Sequence, residues 1–93
     1  MVVKKSDKHG KKLVAIFTKD NGRTKKTYFG SAGMEDYTIT KDKEQRKRYL
    51  DRHRKRENWN NYMSAGALSR WILWSGPSRK ENISAYKKRF NLN

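Results

Sequence analysis

The chain has no cysteine, a single proline and no long apolar run in its 93 residues. The first absence excludes disulfides, a thiolate nucleophile and a zinc-finger site. The last excludes a helix that spans a membrane, which needs about eighteen or more consecutive apolar residues. No apolar h-region follows Met1-Val-Val-Lys-Lys, so a secretory leader is not expected and an intracellular or virion-interior setting is. Apolar residues are scarce, at 33% of the chain, where ordinary domains have ~45–50%. Acids are scarcer: nine Asp and Glu stand against twenty-four Lys and Arg, giving a net charge of +15.

High charge with low hydrophobicity argues for disorder. The aromatics argue the other way, because Trp, Tyr and Phe make up 12% of the chain. One small folded domain is expected, with a thin core, since a chain this short buries only about 60–65% of its unfolded surface. A compact body at +15 repels itself and is best tolerated beside a polyanion. No cofactor and no small-molecule substrate are suggested by any motif.

Residues 1–12, MVVKKSDKHGKK, hold five lysines and no apolar period, and predict a flexible basic arm. The single domain is expected over residues 13–93. Asn21-Gly22 between two β-prone runs predicts a hairpin with a type I′ turn. That turn would oppose Asp20 to Arg23, Phe17 to Lys26 and Val14 to Phe29. A short extra strand fits Tyr37–Thr40. A helix is expected from about Asp42, where Asp42 and Gln45 resemble a capping box, to about Arg56. Ser64 predicts the start of a second helix over 65–74, stopped by Gly76-Pro77. Ser78 and Glu81 open a third, over 79–90, with Ile83, Tyr86 and Phe90 on one face. The fold class is therefore α+β: an N-terminal β-hairpin packed against about three short helices. Leu13, Ile16, Tyr28, Leu50, Leu68, Trp71, Ile72, Ile83 and Phe90 are the expected core.

The stretch QRKRYLDRHRKREN, residues 45–58, concentrates the charge. Arg46, Tyr49, Leu50 and His53 recur at helical spacing and form an inner stripe. The outer face offers two acid-first pairs at i,i+4, Glu44–Arg48 and Asp51–Lys55, which would only support the helix. Residues 41–56 carry nine basic and three acidic side chains. Helix support needs near balance, so the excess points to a surface that meets phosphates. The candidate contacts are Lys4, Lys5, Lys8, Lys11 and Lys12 in the arm, and Lys41, Lys47, Arg48, Arg52, Lys55 and Arg56 around the helix. Lysine contacts of this kind position phosphate without reading bases.

Leu68–Trp74 is apolar all round, which predicts a buried helix with Trp71 and Trp74 in the core. Trp59, in the Asn-rich connector, is the candidate for an exposed aromatic contact with a base or partner. No catalytic or metal-binding set emerges. His53 and Asp51 are two apart on a helix and point in different directions, so His53 is expected half-buried against an acid or carbonyl. Glu35, Asp36 and Asp51 have no metal-ligand spacing. FGSAGMED lacks the Lys-Ser/Thr of a phosphate loop.

The segments TYFGSAGMEDYTITKDKEQRKRYLDRH, ENW, SAGALSRWILW and YKKRF together resemble a family of small basic proteins encoded by nucleocytoplasmic large DNA viruses of the chlorovirus and mimivirus kind. The resemblance covers about residues 27–90, with Ser64 where the family has Thr. It implies a viral protein found in the virion and in the host cell during infection. It brings no catalytic residue. The expected function is non-enzymatic: a virion-associated basic protein that binds nucleic acid through backbone phosphates. The alternative is a minor capsid protein bridging acidic surfaces of capsid subunits.

Overall fold

A computed structural model describes residues 1–92. The fold is α+β. Among the described residues, a three-stranded antiparallel sheet in the order β1-β2-β3 precedes four short helices. The strands are β1 (Val2–Lys5), β2 (Lys11–Thr18) and β3 (Thr24–Ser31). The helices are α1 (Tyr37–Thr40), α2 (Lys43–His53), α3 (Ala65–Leu68) and α4 (Arg79–Arg89). Helix α3 runs straight into a π-helical turn, Ser69–Leu73.

The expected flexible arm is corrected. Val2–Lys5 pairs with Leu13–Ile16, and Val3 packs on the core while Lys4 and Lys5 stay exposed. The Ser6–Gly10 connector folds over the outer sheet face, where the Tyr28 hydroxyl donates to Asp7 at 2.9 Å. That bond holds the Asp7 carboxyl below its usual range.

The β2–β3 hairpin also differs by one residue. Val14 faces Tyr28, Phe17 faces Lys25 and Leu13 faces Phe29. Lys19 and Arg23 close a three-residue loop: the Gly22 N–H donates to the Lys19 carbonyl, and Gly22 has φ +82°. Asn21 is not left-handed, and its Oδ1 instead accepts from the Arg23 N–H. A type I turn followed by a left-handed glycine therefore replaces the type I′ turn. Because side chains alternate, this register sends Leu13, Ala15, Phe17 and Phe29 to the core face and Ile16 and Tyr28 to the outer one. Ile16 and Tyr28 thus leave the expected core.

Tyr37–Thr40 is one helical turn rather than a strand. Asp36 caps it, accepting from the Thr38 N–H, and Lys41 ends it with φ +55°. Asp42 caps α2 through bonds from the N–H groups of Glu44 and Gln45. The Gln45 side chain closes no box with Asp42. It accepts from the Thr40 hydroxyl at 2.8 Å. α2 ends at His53, three residues earlier than expected. Ser64 and Ser78 cap α3 and α4 as the sequence indicates.

Leu68, Ile72, Leu73 and Trp74 are buried together. The π turn makes this possible. Its extra residue per turn points both Ile72 and Leu73 inward, and the Trp74 N–H donates to the Ser69 carbonyl five residues back. Trp71 packs against the edge of this core and is only half-buried, as are Ile83 and Phe90. Asn82, unremarked in the sequence, is buried beneath this turn. It donates to the carbonyls of Ile72 and Gly76 at 2.8 Å each and accepts from the Gly76 N–H.

Candidate nucleic-acid interface

α2 is anchored on one side and bare on the other. On the inner side, Leu50 is buried and the Tyr49 ring is stacked between Trp74, at 4.2 Å, and His53, at 4.1 Å. Burial raises the Tyr49 hydroxyl far above the usual phenol range, so this ring stays neutral. The Arg46 Nε donates to the carbonyls of Trp74 and Ser75 at 2.9 and 2.8 Å. It thus satisfies carbonyls left open at the end of the π turn, as a cation at a helix C-terminus does.

On the outer side, Arg48, Arg52, Lys55 and Arg56 are exposed, and none of them makes an ion pair among the described residues. The expected pairs Glu44–Arg48 and Asp51–Lys55 do not form. Asp51 turns back to Lys47 at 4.0 Å, with both side chains largely in water. Of the predicted phosphate contacts on α2, Lys47 is therefore the compensated one.

Arg52 borders a cleft of about 330 Å³ between α2 and the ends of β2 and β3, and Arg48, one turn before it, lies with it along an adjoining groove shared with Gly33 and Met34. Lys11 lies on the opposite wall of the cleft. Phe29, Leu73, Tyr49 and Trp74 form an apolar floor, while Met34, 64% exposed, stands at its lip. Gly30 brings the sheet close to this floor. With φ +77°, its missing Cβ would sit 2.8 Å from Leu73 Cδ1, so a side chain there would push the two walls apart.

The predicted contact residues separate in space. Lys11 joins Arg52 at the cleft, with Arg48 in the adjoining groove. Lys4 lies on the outer sheet face, opposite Val14, and Lys8 sits over the Tyr28 ring at 5.3 Å. Lys5 and Lys41 are exposed elsewhere. Lys12 is corrected from contact to support. Its Nζ lies 2.6 Å from the Asp36 carboxylate, which is 1% exposed and also meets Arg79 at 3.5 Å. The trio Glu35, Asp36 and Asp51 does not assemble, because Asp36 is held by these cations and Asp51 by Lys47. No cluster of three or more possible metal ligands occurs among the described residues.

Trp59 is corrected as well. Its ring is half-buried and its Nε1 donates to Glu57 at 3.0 Å. The other oxygen of Glu57 meets His53 Nδ1 at 3.2 Å, so His53 is half-buried against an acid, as expected. This chain of contacts staples the end of α2 to the connector. The Trp71 Nε1 adds to it by donating to the Trp59 carbonyl at 3.1 Å.

Arg70 was not among the residues the sequence singled out. Its guanidinium lies 5.1 Å from the Trp59 ring and 4.0 Å from the Trp71 ring, and Arg89 lies 3.7 Å from Trp71. The Arg70 Nε and Nη1 are buried with no hydrogen-bond acceptor. Burial first, then the charges of Arg46, Arg89 and Arg54, push this guanidinium down to about 10. Nothing local in SRWILW signals this, because the burial arises from the connector and α4.

Comparison with known proteins places part of the chain in a family. Residues 1–53 fit a family described as a family of unknown function, DUF5754. That stretch holds the whole sheet, α1 and α2, whereas the resemblance noted above covers about residues 27–90. No curated protein and no solved structure matches.

Proposed function

We propose that this chain, which belongs to the DUF5754 family of unknown function, binds nucleic acid non-enzymatically through backbone phosphates. The exposed, unpaired cations Arg48 and Arg52 on α2, with Lys55 in the turn that follows it, form a stripe that carries the proposal. A helix needs no such excess for its own stability, and water screens it only in part. Arg52 shares the cleft with Lys11, so the stripe extends its positive charge toward the sheet as a track that phosphates can follow. The net charge of +15 supports the same reading at long range, by steering a polyanion toward the surface. No base-reading set accompanies the track, so the expected binding is weakly selective.

A place in a virus particle enters this proposal through the resemblance of residues 27–90 alone. The capsid alternative shares that basis. It replaces phosphates with carboxylates on a protein partner.

A fluorescence-anisotropy titration of duplex DNA across salt tests the nucleic-acid reading. If about six phosphates are neutralised, log K falls against log salt with a slope near −5. Absence of binding at low salt rejects the proposal.

A further inference from the structure

Unlike Arg70, the half-buried cations Lys12, Arg46 and Arg79 have oxygen partners, although the Nε of Arg79 is also sealed without an acceptor. Lys12 and Arg79 share the Asp36 carboxylate. Arg46 donates to two main-chain carbonyls. Arg70 has neither an acid nor a carbonyl, and two of its nitrogens are sealed from water without an acceptor. Arg89 shares the Trp71 ring with it, and Arg46 and Arg54 add to the like charge around it. Arg54 and Arg89 are exposed and pair with no carboxylate among the described residues. The indole faces attract these cations. They supply no hydrogen-bond acceptor and do not cancel the repulsion among guanidiniums. What the cluster lacks is a compact group with several acceptor oxygens and more than one negative charge.

We propose that Arg70, with Arg54 and Arg89 closing beside it, anchors a phosphate monoester, the terminal phosphate of a nucleic-acid strand. The assignment rests on the phosphate reading above but uses different residues, in the π turn, at the end of α2 and at the end of α4. Two observations favour a strand end over a mid-chain phosphate. A monoester carries about −1.5 to −2 at neutral pH, more than the single charge of a diester, and clustered guanidiniums reward that difference. Arg70 is also half-buried against two indoles, so a ligand reaches it from one side. A terminal group fits such an approach better than a backbone continuing in both directions. Arg70 supplies a fixed, poorly solvated charge. The exposed Arg54 and Arg89 are free to swing in and donate bidentate bonds.

The test uses the full chain and an internally labelled single strand, with phosphates at both ends or with hydroxyls at both ends. The phosphorylated strand is expected to bind about tenfold tighter at moderate salt, which is about 1.4 kcal/mol. In the double variant Arg54→Gln, Arg89→Gln that ratio falls to near one. In Lys25→Gln, Lys26→Gln, which removes the same charge from the exposed hairpin, the ratio is kept. Arg70→Met, with its fold checked by circular dichroism, also loses the ratio. If that variant does not fold, the double variant still decides. Equal affinity of the parent chain for both strands overturns the site but leaves salt-steep binding, and the phosphate reading, in place. A ratio that survives the double variant overturns it too. No binding of either strand overturns the phosphate reading and this site together.

Discussion

Asp36 places a helix cap and two ion pairs on one buried carboxylate. It accepts from the Thr38 N–H and hydroxyl and from Lys12, and forms an ion pair with Arg79, whose own hydrogen bond goes to the Thr38 hydroxyl oxygen. Removing Asp36 leaves two cations facing a desolvated void, and breaking a buried pair this way costs about 3–5 kcal/mol. Asp36→Ala should therefore lower the thermal midpoint by more than about 12 °C in a domain of this size. A melt within a few degrees of the parent would mean that Lys12 and Arg79 find water instead. Trp71 and Trp74 should part company in the same assay. Trp74 is 8% exposed and lies flat on Tyr49, so Trp74→Ala is expected to cost about 3–5 kcal/mol. Trp71→Ala should cost less than half of that, because its ring is half-buried. The apolar run Leu68–Trp74 could not distinguish the two, since it is the π turn that decides which ring faces in. Arg70→Met should leave the melt unchanged or raise it, as replacing a poorly compensated buried charge often does. A stabilising change at that position would be the expected signature of a residue kept for binding rather than for folding.

The helix starts were legible because caps are local. Asp42, Ser64 and Ser78 each satisfy N–H groups two or three residues on, and the residue type alone announces it. The hairpin was legible as a hairpin but not in register. Asn-Gly serves a two-residue turn, and a three-residue turn uses the same glycine one place later. Gly22→Val should cost about 1–3 kcal/mol, because a β-branched residue at φ +82° is strained. Asn21→Ala, at a position with ordinary φ, should cost much less. Similar melts for both would contradict the turn described here. β1 was hidden because Val2–Lys5 is short and half lysine, and is held by pairing with β2 rather than by its own pattern. The ion pairs on α2 were misplaced for a related reason. Sequence spacing allows Asp51 to reach Lys55 or Lys47, and the break in the helix after His53 leaves Lys47 as its partner.

For the whole molecule, the excess of positive charge was legible in composition, and its placement only partly. The fold ties Lys12 to Asp36, sets Lys47 near Asp51 and gathers Arg70 and Arg89 on the Trp71 ring, none of which composition shows. The α2 stripe predicts that changing Arg48, Arg52 and Lys55 together to Gln weakens DNA binding at every sequence tested. The salt slope should become shallower by up to about three. Thermal stability should hardly change, because these side chains are exposed and unpaired. Incorporation of the same variant into particles separates the two settings. Lost DNA binding with normal incorporation supports a packing role, whereas lost incorporation with unchanged DNA binding supports the capsid alternative.

The π turn at Ser69–Leu73 also makes the chain's length unusually strict at one point. A π turn is an α-helix carrying one residue more than it needs. Deleting a single residue there would let the helix close in ordinary α geometry, with no broken backbone bond to oppose it. Everything beyond would arrive about 100° out of phase and about 1.5 Å short. Trp74 would swing off Tyr49, Arg46 would lose its two carbonyls, and Asn82 would miss the turn it staples. The loop 32–35, between β3 and α1, makes none of these contacts. Length variation in chains of this architecture should therefore fall in loops and avoid the five residues from 69 to 73.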